Sequence, residues 1–401
     1  FLDVITQGRI VFSDAEDTAL MACALLKHHY FTDYISSVSE EEQAAVACFK
    51  KEILSGDQPE LSKLAILGCY KPLCLLDNAK DIAKNLQGGD HVSQIPKSQI
   101  EDYWAQQEIK NSIPVLKEIS SDVSKSVQDQ YEEFPYPRWI VASRDILNEK
   151  IEGYLSGTSA NILNAGCGTG QEAIMLAYAF PDAQITAVDL SKTSLAYAEF
   201  KARQLGIKNV RFMQADIMDI GTLDQKFDYI ASSGVLHHMD DPKAGWEVLN
   251  GLLKPKGLMR IALYSRQARW AINDARKVIS EKNISSDAAS IRDFRDNISD
   301  HLKYKSVKNI ESFYDYYVLP EVRDLLFHVQ EHQFDLPHIK DILDELNLEL
   351  LTFHLRHKVI DQYKRFNKKD VDATDLDGWA AFEAKNPNTF AAMYTFWCRK
   401  K

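Results

Sequence analysis

The sequence predicts an α/β fold organised around a mostly parallel sheet, with further helical parts before and after the run of strands. Three observations predict it. From Asn161 onward, short apolar segments alternate with helix-like ones. The first apolar segment runs straight into a glycine-rich turn, and the alternation returns near residue 336 after a long helical interruption. Strands that are apolar on both faces need helices on both sides of their sheet, which only such an alternation supplies.

The elements follow in order. Between about Asp14 and Ile119 the pattern is helical: AEDTALMACALLKHH, SEEEQAAVACFKKEIL, a segment around LSKLAIL, and SQIEDYWAQQEIKNSIPVLKEI. Gly88-Gly89-Asp90 and Pro96 are expected to divide this region, and the stretch from Val123 through YEEFPYPRWI to lead into a helix ending near Gly153. The strands are NILNAG, QITAVD, VRFMQAD, FDYIASSG and GLMRIALY, with helices beginning near Gln171, Ser191 and Asp241. After Tyr264 a helical stretch too long for a bare loop reads as an insertion over the edge of the sheet. Then come the helix DLPHIKDILDELN, the strand LELLTFH, a mixed segment containing LDGWAAFEAKNP, and a final strand in TFAAMYTFWCRK. The expected divisions are a helical part with its connector over 1–150, a ligand-binding core over 151–265, a helical insertion or lid over 266–335, and completion of the sheet over 336–401.

Composition narrows the function. The chain has 401 residues, 45% hydrophobic and 26% charged, which is ordinary globular usage and excludes a disordered or fibrous protein. Its formal charge of -11 makes nucleic acid an unlikely partner, because phosphate backbones gain no general attraction. No apolar run approaches the roughly 18 residues of a membrane span, so no membrane association is expected. The six cysteines form no CxxC pair, which reads as free thiols in a reducing, cytoplasmic setting. The chain starts at Phe1, and its first residues do not resemble a signal peptide.

The chemistry concentrates at strand ends. In ILNAGCGTGQEA, Gly166, Gly168 and Gly170 allow a tight turn and close approach of a ligand to backbone N–H groups at a helix start. A dinucleotide fingerprint would place glycine three residues after Gly168, where Gln171 stands, so the loop favours a less anionic ligand. Asp189, at the tip of QITAVD, is placed to accept both hydroxyls of a ribose. Asp216 with Ile217, at the next strand tip, suits the amine and ring face of adenine. The plain alternatives are a structural turn for the loop and helix-cap or loop carboxylates for the two aspartates.

These segments resemble the class I S-adenosylmethionine-dependent methyltransferases. ILNAGCGTG is similar to that family's nucleotide loop, VDLS to its ribose-binding strand end, and QADI to its adenine position. FDYIASSGVLHHMDDP is similar to its fourth strand and following loop, and LLKPKGLMRIALYS to its usual turn and fifth strand. The resemblance is strong over about 155–265 and weaker over 335–400. It implies a Rossmann-like seven-stranded sheet whose last strand is antiparallel, and S-adenosylmethionine as cofactor. It also implies cofactor contacts from Gly166, Gly168, Gly170, Asp189, Leu190, Asp216, Ile217 and Ser233, with the region from Ser233 to His238 beside the reacting centre. The absence of the family-type NPPY signature adds to the case against a nucleic-acid acceptor.

Methyl transfer from a sulfonium asks mainly for positioning, with a base where the acceptor must lose a proton. His238, His237 and Tyr264 are the candidate catalytic residues, His238 foremost; the alternative is that a histidine caps the helix at Asp241 and Pro242 or packs against the cofactor. Tyr131 and Tyr136 in YEEFPYPRW, Arg266 and Arg269 after the fifth strand, and Tyr317 in FYDYYVLP are candidate acceptor contacts. YEEFPYPRW also reads as a rigid connector, and the arginines as solvated helix positions. His328 and His332 stand four apart, but no HExxH motif accompanies them, so no metal is expected. The reading is a methyltransferase acting on the oxygen or nitrogen of a small-molecule or protein acceptor, with a possible protein partner on the N-terminal helices. A noncatalytic scaffold keeping the same shell is the alternative from another class, and a nicotinamide oxidoreductase a weaker third.

Overall fold

The computed structural model describes residues 15–55, 60–86, 91–142, 153–155, 159–391 and 393–401. Chain contacts divide it into two units, one of residues 109–274 with 328–401 and the other of residues 1–108 with 275–327.

The first unit holds the sheet. Its strands are β1 (Asn161–Ala165), β2 (Gln184–Asp189), β3 (Val210–Gln214), β4 (Phe227–Ser233), β5 (Leu253–Tyr264), β6 (Leu348–Phe353) and β7 (Met393–Lys400). They form one seven-stranded sheet in the order β3-β2-β1-β4-β5-β7-β6. Strands β1 to β5 pair in parallel, and β7 lies antiparallel between β5 and β6. The expected fold class and the antiparallel last strand are both present. The order reverses at β1 and β4, and in open α/β sheets ligands bind beyond the strand ends at such a switch point.

Local chemistry sets the helix boundaries in this unit. The helices are α1 (Asp122–Glu133), α2 (Gln171–Ala179), α3 (Lys192–Gln204), α4 (Pro242–Leu252), α5 (Leu336–Glu345), α6 (His357–Phe366) and α7 (Leu376–Lys385). Ser191 caps α3 by accepting from the Ser194 N–H at 3.0 Å, and Asp241 caps α4 by accepting from Lys243 and Ala244 at 3.0 Å, just ahead of Pro242. Asp335 does the same for α5, accepting from His338 N–H at 3.0 Å. The core includes Leu163, Val188, Ile230, Trp246, Met259, Ile261, Ile339 and Phe396.

The other unit is helical among its described residues. Leu26 of the helix Ala15–Phe31 packs with Leu64 and Leu67 of Leu61–Gly68 and with Leu73 and Ile100. The segment after β5 is bound into the same unit: Arg292 Nε donates to Tyr34 O at 2.7 Å, Leu319 N–H to Thr32 O at 3.1 Å, and Ser37 Oγ bonds Asp296. Pro96 does not break the chain as expected, since one helix runs through it from His91 to Ser112. Pro96 is the sixth residue of this helix, past its first turn, so the helix continues at the cost of the one i→i−4 bond that the missing N–H would make. The expected turn at Gly88–Asp90 and most of the helix expected to end near Gly153 lie outside the described residues.

The connection from β6 to β7 packs its aromatic residues into the core of the sheet. Trp379 of α7 is 1% exposed, stacks on Tyr363 of α6 at 3.7 Å, and donates its indole N–H to Ala373 O at 2.8 Å. Truncating a large buried aromatic costs about 3–5 kcal/mol, so Trp379→Ala should lower unfolding free energy by that amount in chemical denaturation. A change under about 1 kcal/mol would show that this packing does not support the sheet.

Candidate functional site

The site is assembled at the carboxyl ends of β1, β2, β3 and β4. After β1 the chain turns through Gly166, whose N–H, with that of Cys167, donates to Val188 O at 2.8 and 2.9 Å. The next N–H, of Gly168, donates to Asp189 Oδ2 at 2.7 Å, and the Ser191 N–H donates to Asp189 Oδ1 at 2.9 Å. One carboxylate therefore holds the glycine loop and the start of α3 together. Gly168 sits at φ +51°, and a Cβ there would stand 2.5 Å from Tyr136 O. Burial raises the Asp189 carboxyl to about 6, with Glu132 pushing the same way and the two backbone donors opposing.

A cavity of about 400 Å3 opens beside this loop. Gly166, Gly168, Asp189, Leu190, Asp216, Ile217 and Ser233 line it, as do His238, Tyr131 and Tyr136. Asp216 is buried and turns the chain after β3 by accepting from Met218 N–H at 2.9 Å. The carboxylates of Asp189 and Asp216 keep acceptor capacity beyond these bonds, since each can accept about four. A nucleoside with hydroxyls and an exocyclic amine fits this donor set.

Gly170 is a correction. It is not among the cavity residues; at φ +81° its Cα faces α3, and a Cβ would lie 2.4 Å from Ala198 Cβ. Its role is close helix packing.

The YEEFPYPRW segment belongs to the sheet-bearing unit, and Tyr131, Tyr136 and Pro137 from it line the cavity. Glu132 accepts from Lys192 N–H at 2.5 Å and from the Thr193 hydroxyl at 2.5 Å, and pairs with Lys110 at 2.6 Å. Those contacts hold its carboxyl below the usual range against the opposing effect of burial. The Ser191 hydroxyl donates to Tyr131 O at 3.0 Å, the Trp139 indole N–H to Thr169 O at 3.1 Å, and the Thr169 hydroxyl to Pro137 O. The segment is thus stitched to the glycine loop and to α3, which brings Tyr131 and Tyr136 to the cavity.

His238 and His237 part company. His238 lines the cavity, and its Nδ1 lies 2.7 Å from Gln330 O. A carbonyl only accepts, so Nδ1 carries a proton, and in the neutral ring Nε2 is the basic nitrogen. His328 stacks on His238 at 3.5 Å between centroids. The Gln330 N–H donates to His328 Nδ1 at 3.1 Å, which leaves the proton on His328 Nε2 to donate to the Tyr131 hydroxyl at 3.1 Å. One residue, Gln330, therefore sets opposite tautomers on two stacked rings. His328 and Gln330 escaped the sequence reading because they lie far along the chain from β4. Residues 328 to 333 are not helical, so the expected four-residue helical spacing of His328 and His332 does not exist.

The remaining candidates are also corrected. His237 is fully buried, off the cavity, with neither ring nitrogen hydrogen-bonded; its ring stacks on Tyr264 at 3.9 Å. Burial first, then His238 and Arg269, hold it well below the ordinary histidine range, so it stays neutral. Tyr264 is covered from its other neighbour by the Arg269 guanidinium at 3.7 Å. Arg269 is spent on Glu331, with Nε to Oε1 at 3.1 Å and a second bond at 2.5 Å, both side chains buried. Arg266 is exposed and pairs with Asp335 at 2.9 Å. Tyr317 belongs to the helical unit, where its hydroxyl donates to Glu311 O at 3.1 Å.

One ion pair lies in the cavity wall, between residues that the sequence reading did not single out. Glu172, in the first turn of α2, bonds Arg260 of β5, which also donates to Ser233 Oγ at 3.2 Å. The signal was a lone arginine inside the apolar run MRIALY. Arg260 Nε has no hydrogen-bond partner.

Because Arg269 and Glu331 are hydrogen-bonded to each other in a buried site, removing one leaves the other charge without compensation. Arg269→Ala should cost about 3–5 kcal/mol of stability in urea unfolding. A loss near zero would return Arg269 to the list of acceptor contacts.

Comparison with known proteins agrees with this geometry. Residues 157–324 match the family model of a methyltransferase domain. An uncharacterized protein of Synechococcus is 38% identical over 120 residues, 30% of this chain and 29% of that one. One from Rickettsia prowazekii is 32% identical over 156 residues, covering 37% and 62%. A malonyl-[acyl-carrier protein] O-methyltransferase of Bacillus anthracis is 30% identical over 137 residues, covering 34% and 49%. The chain thus spans less than two thirds of the length of these curated relatives. Among solved structures, PKMT2 of Rickettsia typhi with AdoHcy aligns at TM-score 0.46 and 21% identity, covering 60% of this chain and 48% of that one. The matched stretch begins ahead of β1 and contains β1 to β5 with the glycine loop, so the sheet-bearing unit carries a region similar to a methyltransferase domain.

Proposed function

We propose that the chain transfers the methyl group of S-adenosylmethionine to an oxygen or nitrogen of a small-molecule or protein acceptor. The observation that carries this reading is the convergence of Asp189, Asp216, Ser233 and His238 on one cavity. The cofactor, when bound, supplies a methyl already activated on sulfur. The protein's part is to hold it, exclude water and align an acceptor. In this reading Gly166, Gly168, Asp189 and Leu190 hold the ribose and the loop side, Asp216 and Ile217 border the adenine, and Ser233 borders the methionine side. Tyr131 and Tyr136 form the acceptor wall, and His238 takes a proton from the acceptor at Nε2 where the chemistry requires one.

The relative that methylates malonyl-[acyl-carrier protein] supports an acceptor presented on a protein. The division into parts supports the same reading: the sheet unit does the transfer, and the helical unit offers faces for a partner. No described helix is long and apolar enough to cross a membrane. Among the described residues the six cysteines form no disulfide, which fits a reducing compartment.

Calorimetry with S-adenosylmethionine and S-adenosylhomocysteine on ligand-stripped protein, with NAD as control, tests the assignment; binding of NAD alone would overturn it. Asp189→Ala should weaken binding by about 2 kcal/mol, roughly 30-fold, through loss of charge-assisted bonds.

The pH dependence has a definite sign. The Asp189 carboxyl stands at about 6, above its ordinary value of 3.8, so it takes up a proton as pH falls through 6 and loses its charged acceptor. Affinity should therefore drop between pH 7 and pH 5, and Asp189→Asn should flatten the curve; an equally steep curve in that variant would assign the effect elsewhere.

His238→Gln should lower methyl transfer at least tenfold while leaving S-adenosylhomocysteine affinity within twofold. Unchanged transfer would remove His238 from the mechanism.

A further inference from the structure

Adjacent antiparallel strands need only a short turn between them. Between β6 and β7 the chain instead spends residues 354–392 on α6, α7 and their loops. The placement of this excursion is fixed by the sheet. Met393, where β7 begins, pairs with Tyr264 at the carboxyl end of β5, and Met393 also lines the cofactor cavity. The insertion therefore leaves and re-enters the sheet at the edge where the cavity opens.

Its surface differs from the rest of the chain. Arg356, Lys358, Lys364, Arg365, Lys368 and Lys369 are all exposed, and among the described residues none of them makes an ion pair. This run sits in a chain of formal charge -11. Phe366 and Val371, 41% and 73% exposed, lie within it, and Lys385 sits 4.8 Å over the Phe366 ring. Asp361 and Asp372 are exposed in the same stretch, while Asp370 bonds Tyr363, Asp375 caps α7 and Asp377 pairs with Lys340, so the positive charge is concentrated between Arg356 and Lys369. An apolar centre with a charged rim is the anatomy of a protein interface.

We propose that the α6 face and the loop after it form a docking surface for an acidic protein that carries the methyl acceptor to the cavity. This rests on the methyl-transfer reading above and names its substrate class. The observations favour a protein over the other polyanions. A bilayer would need the apolar side of α6, but Val359, Ile360 and Tyr363 are packed into the core beneath it. A nucleic-acid strand binds by stacking successive bases on several aromatic rings along a basic groove, whereas this patch offers one exposed phenyl ring, Phe366, beside the aliphatic Val371. An acidic protein face supplies both the anions for the rim and an apolar patch for the centre.

The test uses the full chain and three probes: fluorescent poly-glutamate, oligothymidylate, and phosphatidylserine vesicles. Wild type should bind poly-glutamate most tightly, with affinity falling at least tenfold between 50 and 300 mM salt. The variant carrying Lys364→Glu, Arg365→Glu, Lys368→Glu and Lys369→Glu should bind at least tenfold more weakly, while Lys125→Glu with Lys208→Glu, on exposed sites elsewhere, should bind as wild type does. Preference for the oligonucleotide or vesicles, salt-independent binding, or an equal loss in the two variants would overturn the proposal. S-adenosylhomocysteine calorimetry on the same samples separates the two readings. Its retention with no poly-glutamate binding defeats the docking surface alone, whereas its absence from wild type defeats the methyl-transfer reading.

Discussion

The site depends on one half-buried carboxylate. Asp189 accepts backbone N–H groups from Gly168 on one side and Ser191 on the other, so the end of β2 fixes both the turn after β1 and the start of α3. Every other element of the cavity is referred to those two points. Thr169 and Ser191 then anchor the YEEFPYPRW segment, whose tyrosines complete the wall. The cost of the arrangement is visible in the carboxyl itself, which burial drives up to about 6 despite two hydrogen bonds to its charged form. A carboxylate this desolvated has more to gain from ligand hydroxyls than a fully exposed one, because less water competes for its bonds.

The same constraint explains why the loop must be glycine where it is. At position 168 the N–H has to reach Asp189 while the Cα lies under Tyr136 O, so no side chain fits between loop and connector. At position 170 the demand is different and comes from Ala198 of α3. Two glycines two residues apart thus serve two neighbours, one on the ligand side and one in the packing between helices. The spacing of the motif alone does not separate these roles.

What was legible in the sequence was local. The apolar runs of β1 to β5, the caps at Ser191, Asp241 and Asp335, and the strand-end carboxylates are each set by residues a few positions apart, and all stand close to where the pattern puts them. What was not legible depended on partners brought in by the fold. Arg269 reads as a free cation until Glu331 arrives beside it, and His237 reads as the equal of His238 until Tyr264 covers it. Pattern gives the face an element presents; it does not give the residue from a distant segment that takes up the charge on that face.

The histidine pair shows how such a distant residue changes chemistry rather than stability. An imidazole alone does not declare which nitrogen holds its proton. Here Gln330 offers its carbonyl to His238 and its N–H to His328, and the two rings are forced into opposite tautomers by a single peptide segment. His238 is thereby left with Nε2 as its basic atom, while the Tyr131 hydroxyl receives a hydrogen bond from His328. The donor and acceptor pattern at the acceptor wall is accordingly decided by backbone atoms of residue 330, so substitutions of the Gln330 side chain preserve it, whereas any change that moves that stretch of backbone alters both rings at once.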